Sequence, residues 1–149
     1  MSGSGYFHVL TENTAILAVD DDPIMREFAS VYLSSPTASV QTAPDGRAAL
    51  ACLAGSAFDI VLLDIDMPGL SGFEVLEALR KKPEMADLPV IVVTGREDMA
   101  SIDRAYDLGA TSFVSKPVNW RLLAYQVRYV LRASRAARIA LLREKSAAA

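Results

Sequence analysis

The stretch "IVLLDIDMPG", residues 60–69, runs four apolar residues into Asp64, places Asp66 two positions later and breaks at Met67-Pro68-Gly69. An apolar run of this length bounded by a turn reads as a fully buried strand. Such a strand holds its terminal carboxylate rigidly at the edge of a core, where the charge needs a partner.

The same rhythm recurs along the chain. The runs "TAILAVD" (14–20), "ASVQTA" (38–43), "FDIVLLD" (58–64), "LPVIVVT" (88–94) and "TSFVS" (111–115) predict five strands. Helices are predicted over 23–34, 45–54, 71–82, 98–108 and from 119 onward. Their punctuation agrees: Pro23 suits a first turn, Asp45-Gly46 opens the second segment, Gly109 closes the fourth, and Asn119 is an N-cap. Strands alternating with helices predict an α/β fold, a doubly wound five-stranded parallel sheet.

In such sheets ligands bind outside the carboxyl ends of the strands. The predicted strands end in Asp20-Asp21-Asp22, Asp64, Thr94-Gly95 and Lys116-Pro117. Several carboxylates, one hydroxyl and one ammonium are thus expected in one cluster. Crowded carboxylates repel one another, and a hard divalent cation with oxygen ligands relieves them, which makes Mg²⁺ the first choice. A metal beside a carboxylate oxygen, a lysine and a hydroxyl suits a phosphoryl group. Its charge is neutralised while the carboxylate attacks phosphorus to form an acyl phosphate.

Composition narrows the class. A chain of 149 residues fits one domain and buries about two thirds of the surface its unfolded form exposes. Its apolar runs are strand-sized, far below a membrane span. Cys52 is the sole cysteine, which excludes an internal disulfide or a thiolate zinc cage, and His8 is the sole histidine. A reducing cytoplasm is the expected location. "MSGSG" has neither the positive start nor the apolar run of a signal peptide, and residues 1–13 read as a flexible leader. The net charge of −3 hides an asymmetry: residues 1–118 hold 8 basic and 17 acidic side chains, whereas 119–149 hold six arginines and Lys145 against Glu144. A C-terminal segment with its own role is expected.

"AILAVDDDPIMR", "VLLDIDMPGLSGFEVL", "PVIVVTG" and "GATSFVSKPVN" together resemble the receiver domains of two-component response regulators, over residues 14–131. The resemblance implies a flavodoxin-like sheet of order 2-1-3-4-5. It also implies that Asp64 accepts a phosphoryl group from a sensor histidine kinase or a phosphotransfer protein. Asp21 would bind Mg²⁺ directly, Asp20 through water, and Asp64 and the backbone carbonyl of Asp66 would supply further ligands. Thr94 would hydrogen-bond a phosphoryl oxygen and Lys116 would pair with it, across a cis bond to Pro117. Thr94 and Phe113 would be the moving parts of the switch, with phenylalanine standing where many receivers carry tyrosine. Asp66 and Arg96 would line the path of attacking water and tune the lifetime of the acyl phosphate. Such a domain is a signalling switch that catalyses only its own phosphorylation and slow dephosphorylation.

Asp64-Ile-Asp66 after an apolar strand also matches the start of haloacid-dehalogenase-type phosphatases. Those enzymes want Thr or Val four residues after the nucleophile, where Pro68 stands, and their later acidic pair is missing.

The tail places Trp120, Leu123, Val127, Val130, Ser134, Ala137 and Leu141 at alternating steps of three and four residues. This is the seam of a coiled coil and predicts a homodimer through the C-terminal helix. "KPVNWRLLAYQVRYVLRASR" resembles the exit of receivers joined to domains that make or degrade cyclic-di-GMP. Residues 132–149 are read as an extended helix or a linker to a missing output domain. A short basic helix without a docking motif does not predict nucleic-acid binding.

Overall fold

Five strands form within two residues of their expected ends: β1 (Thr14–Val19), β2 (Ala38–Ala43), β3 (Ile60–Leu63), β4 (Val90–Thr94) and β5 (Ser112–Ser115). They make a parallel sheet of order β2-β1-β3-β4-β5 in a computed structural model that describes residues 13–148. The predicted leader, His8 included, lies outside the described residues apart from Asn13.

The helices are α1 (Pro23–Leu33), α2 (Gly46–Gly55), α3 (Gly72–Arg80), α4 (Met99–Asp107) and α5 (Trp120–Ala148). Successive residues of a strand point to opposite faces, and both faces are covered here. Ile16, Ala18, Ile60, Leu62, Ile91 and Val93 pack with Leu33 of α1 and Leu123 and Val127 of α5. Leu17, Val19, Val61, Leu63 and Val90 pack on the other side with Leu53 of α2 and Val75, Leu76 and Leu79 of α3. Burial on both sides is why β3 and β4 read as continuous apolar runs rather than alternating ones.

Helix starts follow the side-chain oxygens that precede them. Asp22 accepts from the Ile24 amide, Asp45 from Ala48, Asp98 from Ser101 and Asn119 from Leu122, at 2.8–3.0 Å. Ser71 and Glu74 form a reciprocal capping box at α3. A 3-10 turn at Pro83–Met85 was not anticipated; Pro83 fixes φ at its first position, and Arg80 donates to the Met85 carbonyl at 2.8 Å. Cys52 is half-buried on α2 against the second cluster.

The α5 helix runs 29 residues, about 44 Å, and corrects the predicted seam. Leu123, Val127 and Val130 are buried within the domain, and Trp120 stacks on Tyr32 of α1 with ring centroids 5.9 Å apart. This half of the seam is closed to a partner, because a three-four spacing serves equally well to pack a helix on its own sheet.

The sheet sets the site. β1 and β3 are neighbours with Val19 opposite Leu63, so Asp20 and Asp64 leave the sheet side by side. Gly72 then brings α3 against the end of β3: its amide donates to the Ile65 carbonyl at 2.9 Å. A Cβ there would strike the Asp64 carbonyl oxygen and stand 2.7 Å from Ile65 Cα. Gly72→Ala is therefore expected to cost about 1–3 kcal/mol in urea denaturation. Gly55→Ala, with nothing within 4 Å of the new methyl, is expected to be neutral or to stabilise by about 0.5 kcal/mol.

Candidate functional site

At the carboxyl end of β1, Asp20 is held on all sides. Its amide donates to the Ala43 carbonyl at 3.1 Å, and its own carbonyl accepts from Arg26 Nη1 at 2.8 Å. Its Oδ1 accepts from the Asp22 amide at 2.9 Å. Asp64 follows β3, with its amide on the Val19 carbonyl at 3.0 Å and Oδ1 3.4 Å from the Asp66 amide. Lys116 enters from the end of β5, its amide on the Thr94 carbonyl at 2.8 Å and its bond to Pro117 cis.

The Lys116 Nζ stands between the two acids, 2.8 Å from Asp20 Oδ2 and 3.3 Å from Asp64 Oδ2. Asp20 and Asp64 are buried at 7% and 4% exposure, whereas Asp21 is open to solvent. Carboxylate oxygens of Asp20, Asp21 and Asp64 lie within 4.8 Å of one another. A set of hard oxygens at this spacing fits a small divalent cation. Of the sequence run Asp20-Asp21-Asp22, the third member is spent as the α1 cap.

Thr94 closes the far side. It is fully buried, and its Oγ1 accepts from the Arg96 amide at 3.5 Å. Phe113 is half-buried against Ile65, Phe73, Val92 and Ala105. Asp66 and Arg96 meet across the mouth, Nη2 to Oδ1 at 2.7 Å. Sequence reasoning missed Arg26, Ser101 and Phe73. Arg26 lies six residues from Asp20, and only the direction of α1 returns it to the Asp20 carbonyl. Ser101 and Phe73 touch Arg96 from α4 and α3, and no spacing in the chain joins them.

The pocket carries two buried carboxylates for one ammonium, so its net field is negative. Burial raises the Asp64 pKa above its ordinary 3.8; the Asp20 charge adds to this, and Lys116 and Thr94 do not offset it. Burial opposes the Lys116 charge, yet the hydrogen bond to Asp20 and the charges of Asp64 and Asp20 outweigh it, and its pKa is raised above 10.5. Both shifts have the same sign for different reasons: loss of water disfavours the Asp64 charge, whereas the neighbouring carboxylates favour the Lys116 charge.

A groove of about 630 Å³ lies elsewhere, between α5 and the amino ends of β4 and β5. The phosphoryl chemistry expected of the chain belongs to the carboxylate cluster, since Asp87 is the single carboxylate among the residues that line the groove.

The model of the response regulator receiver domain matches residues 16–128. The chain belongs to this family. The heme response regulator HssR of Staphylococcus aureus is 34% identical over 116 residues, which cover 78% of this chain and 50% of HssR. The chain thus spans about half the length of the curated relatives it matches. The chemotaxis protein CheY4 of Vibrio cholerae superposes with a TM-score of 0.75 at 32% identity, covering 78% of this chain and 98% of CheY4. The response regulator TrrA of Thermotoga maritima, solved in complex with Mg²⁺ and BeF, gives 0.69 at 33% identity, covering 78% and 98%. Receiver domains are signalling switches rather than metabolic enzymes; they bind Mg²⁺ at an acidic pocket and accept phosphoryl groups from histidine kinases. Nothing in these likenesses favours the phosphatase alternative. Among the described residues no helix is long and apolar enough to cross a membrane.

The raised Asp64 pKa has a measurable sign. A carboxyl with the higher pKa in the folded chain keeps a proton that the unfolded chain has released, so stability falls as pH rises from 3.8 through the raised value. The Lys116 contribution is complete below 10.5 and is lost as pH rises through its raised pKa. With a chelator present, Asp64→Asn is expected to melt at or above wild type at about pH 7, the gap narrowing toward about pH 4.

Proposed function

We propose that this receiver takes a phosphoryl group on Asp64 from a sensor histidine kinase or a phosphotransfer protein, in the cytoplasm. The observation that carries the reading is the Lys116 ammonium set between Asp20 and Asp64, with Asp21 beside them. An oxygen of Asp64 attacks phosphorus, the bond from phosphorus to the donor imidazole nitrogen breaks, and its electron pair returns to the ring, which takes a proton. Asp20, Asp21, Asp64 and the Asp66 carbonyl would hold Mg²⁺, which when bound neutralises phosphoryl oxygens. Lys116 leaves its contact with Asp64 to pair with the transferred group, and Thr94 turns its hydroxyl toward it. Phe113 then follows into the space that Thr94 vacates. Without a phenol this ring has no hydrogen bond to make at the surface, so the switch is read through packing alone. Phosphorylation biases an existing pair of conformations by its differential contacts with each. Asp66 and Arg96 are assigned to tuning the lifetime of the acyl phosphate.

Acetyl phosphate with Mg²⁺ is expected to label wild type stoichiometrically and to leave Asp64→Asn unlabelled, as read by intact-mass spectrometry. Full labelling of the variant would place the acceptor elsewhere.

The reading extends to association and output. Beyond Leu131 the α5 helix carries Ile139, Leu141 and Leu142 at 49–58% exposure. Leu122, Tyr129, Ala133, Ala136 and Ala140 share an exposed face at seven, four, three and four residue steps that holds no arginine before Arg143. A second copy is the occupant we assign to this face. In a two-fold parallel pair the alanines allow close approach while the arginines stay on the flanks. Paired tails would set two output domains side by side, which suits the cyclic-di-GMP class that the tail resembles, because joining two nucleotides needs two subunits. Sedimentation of the full chain is expected to show a dimer that strengthens with salt, as the flanking arginines are screened, and Tyr129→Asp with Ala133→Asp is expected to be monomeric. Equal monomeric masses throughout would reduce the extension to a solvated helix.

A further inference from the structure

Asp66 stands two residues from Asp64, yet its carboxylate is not among those of Asp20, Asp21 and Asp64 that converge. It is turned to Arg96, with Nη2 2.7 Å from Oδ1 and Nε 2.9 and 3.1 Å from the two oxygens. Arg96 is itself fixed from other sides. Its Nη1 donates to Ser101 Oγ at 3.3 Å, and its guanidinium centre lies 5.7 Å from the centroid of the Phe73 ring. Arg104 of α4 stands over the same ring at 4.2 Å. Ser101 and Phe73 are buried, so the guanidinium is anchored to the body and the Asp66 carboxylate is the group being held.

We propose that Arg96 is a positioning residue that withholds the Asp66 carboxylate from the metal and phosphoryl site. This rests on the reading of Asp64 as a Mg²⁺-assisted phosphoacceptor and adds a reason for the pairing at the mouth. Freed from Arg96, the Asp66 carboxylate is a short, flexible anion within two residues of the acceptor. It is drawn to the cation as an additional oxygen ligand. That has opposite consequences for the two steps. One more anion tightens Mg²⁺, and the same anion occupies the position and adds the charge that a phosphoryl oxygen must meet. Arg96 thereby trades metal affinity for access of the phosphoryl group.

The test compares wild type, Arg96→Ala, Asp66→Asn and the double variant at fixed ionic strength, by calorimetric Mg²⁺ titration and by the initial rate of labelling with acetyl phosphate. Arg96→Ala is expected to bind Mg²⁺ more tightly, on the order of fivefold for an exposed pair, and to be labelled more slowly. The double variant, which has no carboxylate to release, is expected to return both quantities toward wild type. Arg96→Met preserves the stem over Phe73 and carries the comparison if the alanine variant fails to fold. A purely structural arginine would weaken Mg²⁺ binding, and the second substitution would not restore it. Unchanged or weaker Mg²⁺ binding in Arg96→Ala or Arg96→Met, or a double variant that keeps the single variant's change, overturns the proposal. Wild type that neither binds Mg²⁺ nor is labelled on Asp64 overturns the underlying reading, and this proposal with it.

Discussion

One ammonium between two buried carboxylates is the constraint on which the carboxyl end of the sheet depends. Asp20 and Asp64 leave adjacent strands and are almost fully covered, and two such charges side by side are unfavourable without a counter-charge. Lys116 supplies it at 2.8 and 3.3 Å. Its side chain starts from the residue that follows β5, which lies beside β4 at the edge of the sheet. The raised pKa of Asp64 records its burial, and that of Lys116 records the two carboxylates it faces. A site in which carboxylates outnumber the ammonium in this way is poised for a cation, and after that for an anionic group that the cation and the lysine can share.

Around this centre the other polar groups are divided between holding the backbone and guarding the mouth. Arg26 grips the Asp20 carbonyl and Gly72 presses α3 onto the Asp64 peptide, so the two acids are located by main-chain contacts as much as by their own side chains. Arg80 performs a similar task away from the site, donating through Nε and Nη2 to the Gly109 carbonyl and tying α3 to the end of α4. At the mouth, Arg96 binds Asp66 while resting on Phe73 and Ser101. The loop that carries one candidate ligand is thereby joined to the first turn of α4. A change at Asp64 has a short physical route to that helix through groups that touch, rather than through any long pathway.

The α5 helix shows how one periodicity can serve two masters along a single element. Up to Leu131 its three-four spacing packs Leu123, Val127 and Val130 on the sheet. Past that point Arg135 still donates to the Asn13 carbonyl and the Thr14 hydroxyl at 3.2 Å, and beyond it Ile139, Leu141 and Leu142 are exposed beside arginines. The change of environment follows from length alone, since a domain of this size spans only the first turns of a helix about 44 Å long.

The sequence by itself determined the alternation of strands and helices, the caps at Asp45 and Asn119, and the set of residues that end each strand. These are local properties: period, turn residues and side-chain oxygens act on the neighbouring few residues. It also carried the candidate site as a list of types, because in a parallel sheet every strand must end on the same side. The tertiary structure decided which of the three consecutive aspartates faces the pocket and which is spent on a helix start, and it decided which half of the α5 seam is already covered. It alone brought Arg26 to Asp20 and joined Arg96 to Asp66, Ser101 and Phe73. Those contacts depend on the direction in which each helix leaves its strand and on how closely α3 can approach β3. Both are set by packing across the whole core, so no local stretch of sequence contains them.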